Sequence, residues 1–191
     1  MYVVKYIKYG SEEYAKTLEL RNEVMRKPLG RSIYDEDFSC EENQIIIGAF
    51  ETNSMFTNLL IGVGVLSVVE ANTFMVEYLC VDSALQKKGV GTALMRCMEK
   101  IAADRGATKI VLDSRLTAID FYQRFGYVQK GEIFHKEIAP GGHIVMEKEL
   151  TPVPEAVKEL MRKYHQHQHN HSHHDGHHHE HHDGCGCRHN D

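Results

Sequence analysis

Apolar residues recur at two spacings along this chain. They fall at every second position, or in short runs, where an extended segment suits them, and at every third to fourth position where a helix does. Residues 2–9 alternate and predict a first strand. Ser11 then caps a helix with Glu12 and Glu13 in its first turn and Tyr14, Leu18, Val24 and Met25 turned inward; Pro28 and Gly30 end it. Residues 31–43 carry Asp35, Glu36, Asp37, Glu41 and Glu42 and predict an acidic loop or short helix, a candidate substrate-facing segment. Strands at 44–51 and 59–70, joined by a polar turn at 52–58, form a hairpin that leads into an apolar strand at 74–81.

The second half continues in the same alternation. A helix at 89–105 places Val90, Leu94, Cys97, Met98 and Ile101 on one face, with Gly106 as its stop. A strand at 108–113, a short helix at 117–125 closed by Gly126, and strands at 127–135 and 143–150 follow, with a mobile loop at 136–142 containing Pro140-Gly141-Gly142. A hairpin, then strand-helix-strand-helix, then a final pair predicts a mixed α/β sheet with helices on both faces. Thr151-Pro152-Val153-Pro154 punctuates the chain before a last helix at 155–164. The organisation is therefore a domain at 1–150, a helical linker at 151–164 and a polar tail at 165–191.

Candidate chemistry concentrates between the strand at 74–81 and the helix that follows it. There the run Gln86-Lys87-Lys88-Gly89-Val90-Gly91-Thr92 sets two glycines at the first turn of a helix. Glycine removes the side chains that would hold a ligand off the backbone, so unpaired N–H groups and the positive end of the helix dipole can meet an anion. The spacing is neither that of a P-loop nor that of a dinucleotide-binding fold. The plain alternative is a tight strand-helix turn that binds nothing.

This loop resembles the pyrophosphate-binding Gln-x-x-Gly-x-Gly of the GNAT superfamily of acyl-coenzyme A N-acyltransferases. The stretch Leu112-Asp113-Ser114-Arg115-Leu116-Thr117-Ala118-Ile119-Asp120-Phe121-Tyr122-Gln123-Arg124-Phe125-Gly126-Tyr127 is similar to the second signature of that superfamily, and it comes in the expected order. Leu20-Arg21-Asn22-Glu23-Val24-Met25-Arg26-Lys27-Pro28-Leu29-Gly30 and His143-Ile144-Val145-Met146 look like pieces of its small bacterial branch. The resemblance spans residues 1 to about 150 and implies a mostly antiparallel sheet of six to seven strands with acetyl-coenzyme A as co-substrate. It implies that the pantetheine arm runs along the strand ending at Val81, and that Tyr122 protonates the departing thiolate. Asp113-Ser114 departs from the more usual Asn-Ala or His-Ala pair.

Acyl transfer from a thioester to an amine also needs an oxyanion donor and a neutral nucleophile. A backbone N–H near Cys80 or Val81 can serve the first need. A lysine-like amine has a pKa near 10.4, so only about one molecule in a few thousand is neutral at pH 7. Glu77 is the one carboxylate in the strand that leads to the loop and is the candidate base; its alternative is a solvent-facing or cation-paired strand residue. Tyr122 has the alternative of packing over Phe121, and His143 reads as structural. The cofactor-contacting set is thus Cys80, Val81, Gln86, Lys87, Lys88, Gly89, Val90, Gly91 and Thr92, with Tyr122 and Glu77 as catalytic groups.

Composition narrows the setting. The chain has 191 residues, 42% hydrophobic and 26% charged, enough for one core plus an appendage. Net charge is −5 with dispersed Lys and Arg, which points away from nucleic acid and anionic membranes. No apolar run approaches the roughly 20 residues of a membrane span. The first residues lack a basic segment followed by an apolar one and do not read as a secretory signal. Cys40, Cys80 and Cys97 form no disulfide framework, which suits a reducing cytoplasm.

After Tyr164 the composition changes abruptly. Of the chain's 14 histidines, all but His135 and His143 lie there: His165, His167, His169, His171, His173, His174, His177, His178, His179, His181, His182 and His189, with Cys185-Gly186-Cys187. Little apolar surface accompanies them, so the tail is expected to be disordered without a ligand. Imidazoles and paired thiols suit Ni²⁺, Zn²⁺ or Cu²⁺. Three classes remain open: an N-acetyltransferase acting on a small-molecule or protein amine, a metal-handling protein with an acyl-coenzyme A-binding domain, and a catalytically idle binder.

Overall fold

A computed structural model describes residues 1–53, 56–137 and 139–170. Seven strands, β1 (Tyr2–Ile7), β2 (Ile45–Asn53), β3 (Phe56–Glu70), β4 (Thr73–Val81), β5 (Lys109–Arg115), β6 (Val128–Lys136) and β7 (Ala139–Glu149), form one sheet in the order β1-β2-β3-β4-β5-β7-β6. Every neighbouring pair is antiparallel except β4 and β5, which run parallel. This is the mixed α/β sheet that the alternation predicts, with the mostly antiparallel pairing and strand number that the resemblance implies.

Helices cover both faces. α1 (Glu12–Arg21) starts where Tyr14 N–H donates to the Ser11 hydroxyl at 3.1 Å and packs Tyr14 and Leu20 against Ile46, Val63, Val65 and Cys80. α2 (Val90–Asp104) lies on the opposite face, where Leu94, Met95, Cys97 and Met98 are fully buried; each large side chain of this kind contributes roughly 1.5–3 kcal/mol. Its close approach depends on glycines in β3. A Cβ at Gly64 would stand 2.9 Å from Met98 Sδ, and one at Gly62 2.9 Å from Leu94 Cδ1. α3 (Ile119–Gln123) follows β5, and α4 (Glu155–Asn170) ends the described chain.

Three expectations need correction. The first helix stops at Arg21, and a wide turn (Asn22–Arg26) and a short 3-10 turn (Lys27–Leu29) carry the chain to Gly30 at φ +67°. Its deeply buried side chains include Arg21 and Arg26, whereas Leu18, Val24 and Met25 are only half-buried. The cause lies in the acidic segment, which does not stand free in solvent. Glu41 is buried in a bidentate pair with Arg21 (2.6 and 2.9 Å), and Glu36 clamps Arg26. Arg21 also lies over the rings of Phe38 and Tyr78.

The second correction concerns Pro140-Gly141-Gly142, which belongs to β7 and not to a loop. Gly142 pairs with His135 and Ala139 with Lys136, so Pro140 and Gly141 are the extra residues of a bulge. A bulge is where a strand tolerates a residue without an N–H. Third, α4 continues past 164 and takes the backbone of His165, His167 and His169 with it. Val157, Leu160 and Met161 on this helix are exposed. Among the described residues no helix is long and apolar enough to cross a membrane.

Candidate active site

The site begins where two parallel strands part. β4 and β5 pair only from Thr73–Lys109 to Val76–Leu112. Immediately beyond, Tyr78 is opposite Val65 and Val76 opposite Leu66, which leaves Glu77 as the unmatched residue of a bulge. A bulge bends its strand and raises its twist. From Tyr78 to Val81, β4 therefore pairs with β3 on one side and, among the described residues, with no strand on the other, which exposes backbone N–H and C=O groups along an edge.

That edge forms one wall of a cleft of about 830 Å³, lined by Leu79, Val81, Gln86, Lys87, Gly89, Gly91, Thr92, Ala118, Phe121, Tyr122 and Arg124 among others. The start of α2 forms its end. Gly89 is the cap residue, at φ +85°, and no side chain caps the helix. The first helical bond runs from Ala93 N–H to Gly89 O (3.0 Å), so the N–H groups of Val90, Gly91 and Thr92 precede the intrahelical ladder. Lys87 is left-handed too (φ +63°), which shapes the loop into a concave turn. A methyl built on Gly91 would stand 3.6 Å from Val81 Cγ2 and from Phe121 Cζ, in the space between α2 and α3. Gln86 holds the loop to the strand through Nε2 donating to Val81 O at 3.4 Å.

Not every expected cofactor residue faces this cleft. Val81, Gln86, Lys87, Gly89, Gly91 and Thr92 do; Cys80, Lys88 and Val90 are absent from its walls. Val90 turns its side chain into the core beside α2. Cys80 points to the α1 face, its Sγ 3.9 Å from Leu20 O, and burial pushes its thiol up to about 12. Its backbone faces β3 as well: Asp82 N–H donates to Ile61 O, and the alternation of the antiparallel ladder then pairs Cys80 with Val63, so the N–H groups left on the open edge are those of Leu79 and Val81 and not that of Cys80.

Tyr122 stands on α3 with its ring edge-on to Phe121 (5.1 Å between centroids) and to Tyr127 (5.9 Å). Burial raises its phenol to about 12, so it keeps its proton through neutral pH. Tyr122, Leu79 and Ala118 also line a second cavity, of about 280 Å³, on the other side of the parting strands. Glu77 opens onto this second cavity, its Oε1 accepting from Ser67 Oγ at 2.6 Å. Arg26, Tyr78, Asp113, Arg115, Lys136 and His143 share the lining.

His143 is almost fully buried in β7, and its ring nitrogen Nδ1 lies 3.1 Å from Gly141 O. A carbonyl can only accept, so in the neutral ring Nδ1 carries the proton and Nε2 keeps its lone pair. Burial lowers its pKa below the usual histidine value, and Lys136 and Arg115 push in the same direction. Asp113 is paired with Lys136 at 2.7 Å, and the Ser114 hydroxyl turns to Arg115 O at 2.9 Å.

The sequence does not single out Arg26, Arg115 or Lys136, which line the second cavity, and it reads His143, on the same wall, as structural. The usable signal was thin: Arg21 and Arg26 fall within an otherwise inward-facing segment, near a run of acids that can pair with them. Of the candidate metal ligands, His165, His167 and His169 lie on the α4 backbone, without described side chains. His171, His173, His174, His177, His178, His179, His181, His182, Cys185 and Cys187 lie outside the described residues. Among the described residues no cluster of three or more His, Cys, Asp or Glu could hold a metal.

A parallel pair thus splays beside a glycine-started helix whose first N–H groups are free of intrahelical bonds, and comparison with known proteins gives this arrangement its family. Residues 14–127 match the model of the acetyltransferase (GNAT) family. The chain belongs to that family. It is 36% identical over 75 residues to the uncharacterized N-acetyltransferase YjcF of Bacillus subtilis (strain 168), a match covering 38% of this chain and 51% of YjcF. The matched stretches thus span about half to three-fifths of the curated relatives.

Among solved structures, the fold is similar to the NatC complex bound to Gag peptide and coenzyme A (TM-score 0.65, 20% identity, 78% of this chain and 99% of that chain). It is also similar to an aminoglycoside 6'-N-acetyltransferase complexed with coenzyme A (TM-score 0.59, 16% identity, 79% and 98%).

Proposed function

We propose that the protein transfers an acetyl group from acetyl-coenzyme A to a primary amine of a small molecule or protein, directly and within a ternary complex. The observation that carries this reading is the shared wall: the 830 Å³ cleft at the α2 N-terminus and the 280 Å³ cavity beside Glu77 meet at Leu79, Ala118 and Tyr122. A carrier on one side and an acceptor on the other bring thioester and amine together at that wall.

In this reading the pyrophosphate lies on the N–H groups that start α2, with Lys87 adding charge, and the pantetheine runs along the open edge of β4. The backbone N–H of Val81, on the open edge, stabilises the oxyanion. Glu77 takes the proton of the attacking amine, the new C–N bond forms, and the C–S bond breaks. Tyr122 donates to the departing sulfur. Burial, which raises its pKa, keeps the phenol protonated until the thiolate forms, and the phenol regains the proton it gives up from solvent.

Mixing acetyl-coenzyme A with a panel of amines tests this through thiol release. Tyr122→Phe should lower the rate about 10²-fold or more; an undiminished rate removes Tyr122 from the mechanism. The density of His after Tyr164, with Cys185 and Cys187, supports a second role, binding of Ni²⁺, Zn²⁺ or Cu²⁺ by the tail. Truncation after Tyr164 should then abolish multi-site metal uptake and leave coenzyme binding intact, and equal uptake by the shortened chain would dismiss that role. Among the described residues Cys40, Cys80 and Cys97 are free thiols, which supports a reducing, cytoplasmic setting.

A further inference from the structure

The charges around the second cavity sort into pairs with one pair left over. Arg26 is clamped by Glu36, and Lys136 is held by Asp113 at 2.7 Å. Two charged groups on the lining remain: Arg115 at the end of β5 and Glu77 at the bulge of β4. Among the described residues Arg115 makes no ion pair, and the contact of Glu77 is the neutral hydroxyl of Ser67. They do not pair with each other. Both lie beyond Val76–Leu112, on opposite sides of the gap where the strands have separated.

We propose that the acceptor is a small zwitterion, a primary amine carrying a carboxylate on the same molecule, and that Arg115 recognises the carboxylate while Glu77 receives the ammonium. This rests on the acetyl-transfer reading above. A cavity near 280 Å³ suits a small metabolite. A guanidinium facing it offers a planar fork that matches a carboxylate in two hydrogen bonds. Each ligand charge then meets its opposite, and neither protein charge is left uncompensated as water leaves. An amine without an acid group would satisfy Glu77 and leave Arg115 desolvated and alone. The neighbouring imidazole of His143 adds no charge of its own near neutrality, so the sorting is the same there.

The test uses the full chain, acetyl-coenzyme A and thiol release, with α-, β- and γ-amino acids each supplied as the free acid, the amide and the decarboxylated amine. At least one free acid should exceed its amide and its plain amine in kcat/KM by roughly 10- to 100-fold, the worth of a charge-assisted hydrogen bond. The difference should lie mainly in KM. Arg115→Gln should collapse the acid-to-amide ratio towards one, and Arg115→Lys should retain part of it. The wild-type ratio decides the matter even if a variant does not fold. Equal turnover of acids and amides, or turnover only of amines without an acid, overturns the inference and leaves acetyl transfer standing. If no amine of any kind accelerates thiol release, acetyl transfer itself falls and the inference with it.

Discussion

Ser67 Oγ donates a 2.6 Å hydrogen bond to Glu77 Oε1, and Glu77 is the unmatched residue of the bulge where β4 leaves β5. One residue thus marks the opening of the sheet and presents a carboxylate to the smaller cavity. Glu77→Gln preserves size and the serine contact but not the charge. Turnover should fall by about 10²- to 10⁴-fold if this group takes the proton, while coenzyme A affinity, measured by calorimetry, stays within about twofold because the larger cleft lacks Glu77 in its walls.

Gly91 separates ligand binding from stability. Its φ is not in the left-handed region, and an added methyl would make ordinary contacts of 3.6 Å with Val81 and Phe121. Gly91→Ala should therefore leave the melting temperature unchanged or raise it slightly, by up to about 1 kcal/mol of stability. The same methyl stands where an anion's approach to the helix backbone is needed, so acetyl-coenzyme A affinity should drop tenfold or more, about 1.4 kcal/mol. Gly89→Ala, at φ +85°, should lose both.

The buried pair of Arg21 and Glu41 fastens the acidic segment to α1. Tyr14 OH donates to Glu41 Oε2 at 2.9 Å and Arg21 supplies the other contacts, so neither charge has water to fall back on. Arg21→Met should destabilise by about 3–5 kcal/mol in urea titrations, and the double variant Arg21→Met/Glu41→Leu should recover much of that. A loss under about 1 kcal/mol would mean that the segment is held by its rings alone.

His143 makes stability depend on pH with a definite sign. Its folded-state pKa lies below the unfolded value of about 6.5, chiefly through burial. Stability is then complete above about pH 6.5 and declines as pH falls, because the unfolded chain takes up the proton first. The decline ends once the folded ring also protonates. Urea midpoints at pH 7.5 and 5 should differ more for the wild type than for His143→Asn.

How much of this was legible in the sequence depended on how local the signal is. Gln86 to Thr92 and the strand before it lie within twenty residues, and their pattern locates the larger cleft without any tertiary contact. The smaller cavity is different. Glu77, Arg115, Lys136 and His143 come from four strands, β4, β5, β6 and β7, and meet only because β7 inserts between β5 and β6. Glu36 and Glu41 read as part of an acidic, substrate-facing segment because their arginine partners are 10 and 20 residues away. Pro140-Gly141 reads as a loop because composition alone does not reveal a bulge.

The central claim is that the amide hydrogens starting α2 hold the diphosphate of an acyl carrier. Titration of isotopically labelled protein with acetyl-coenzyme A, followed by amide chemical shifts, tests it at the atoms concerned. Saturable movement of the Gly89, Val90, Gly91 and Thr92 signals, with those of Val81 on the open edge, is the predicted result. Signals there that stay fixed at saturating acetyl-coenzyme A would contradict the account.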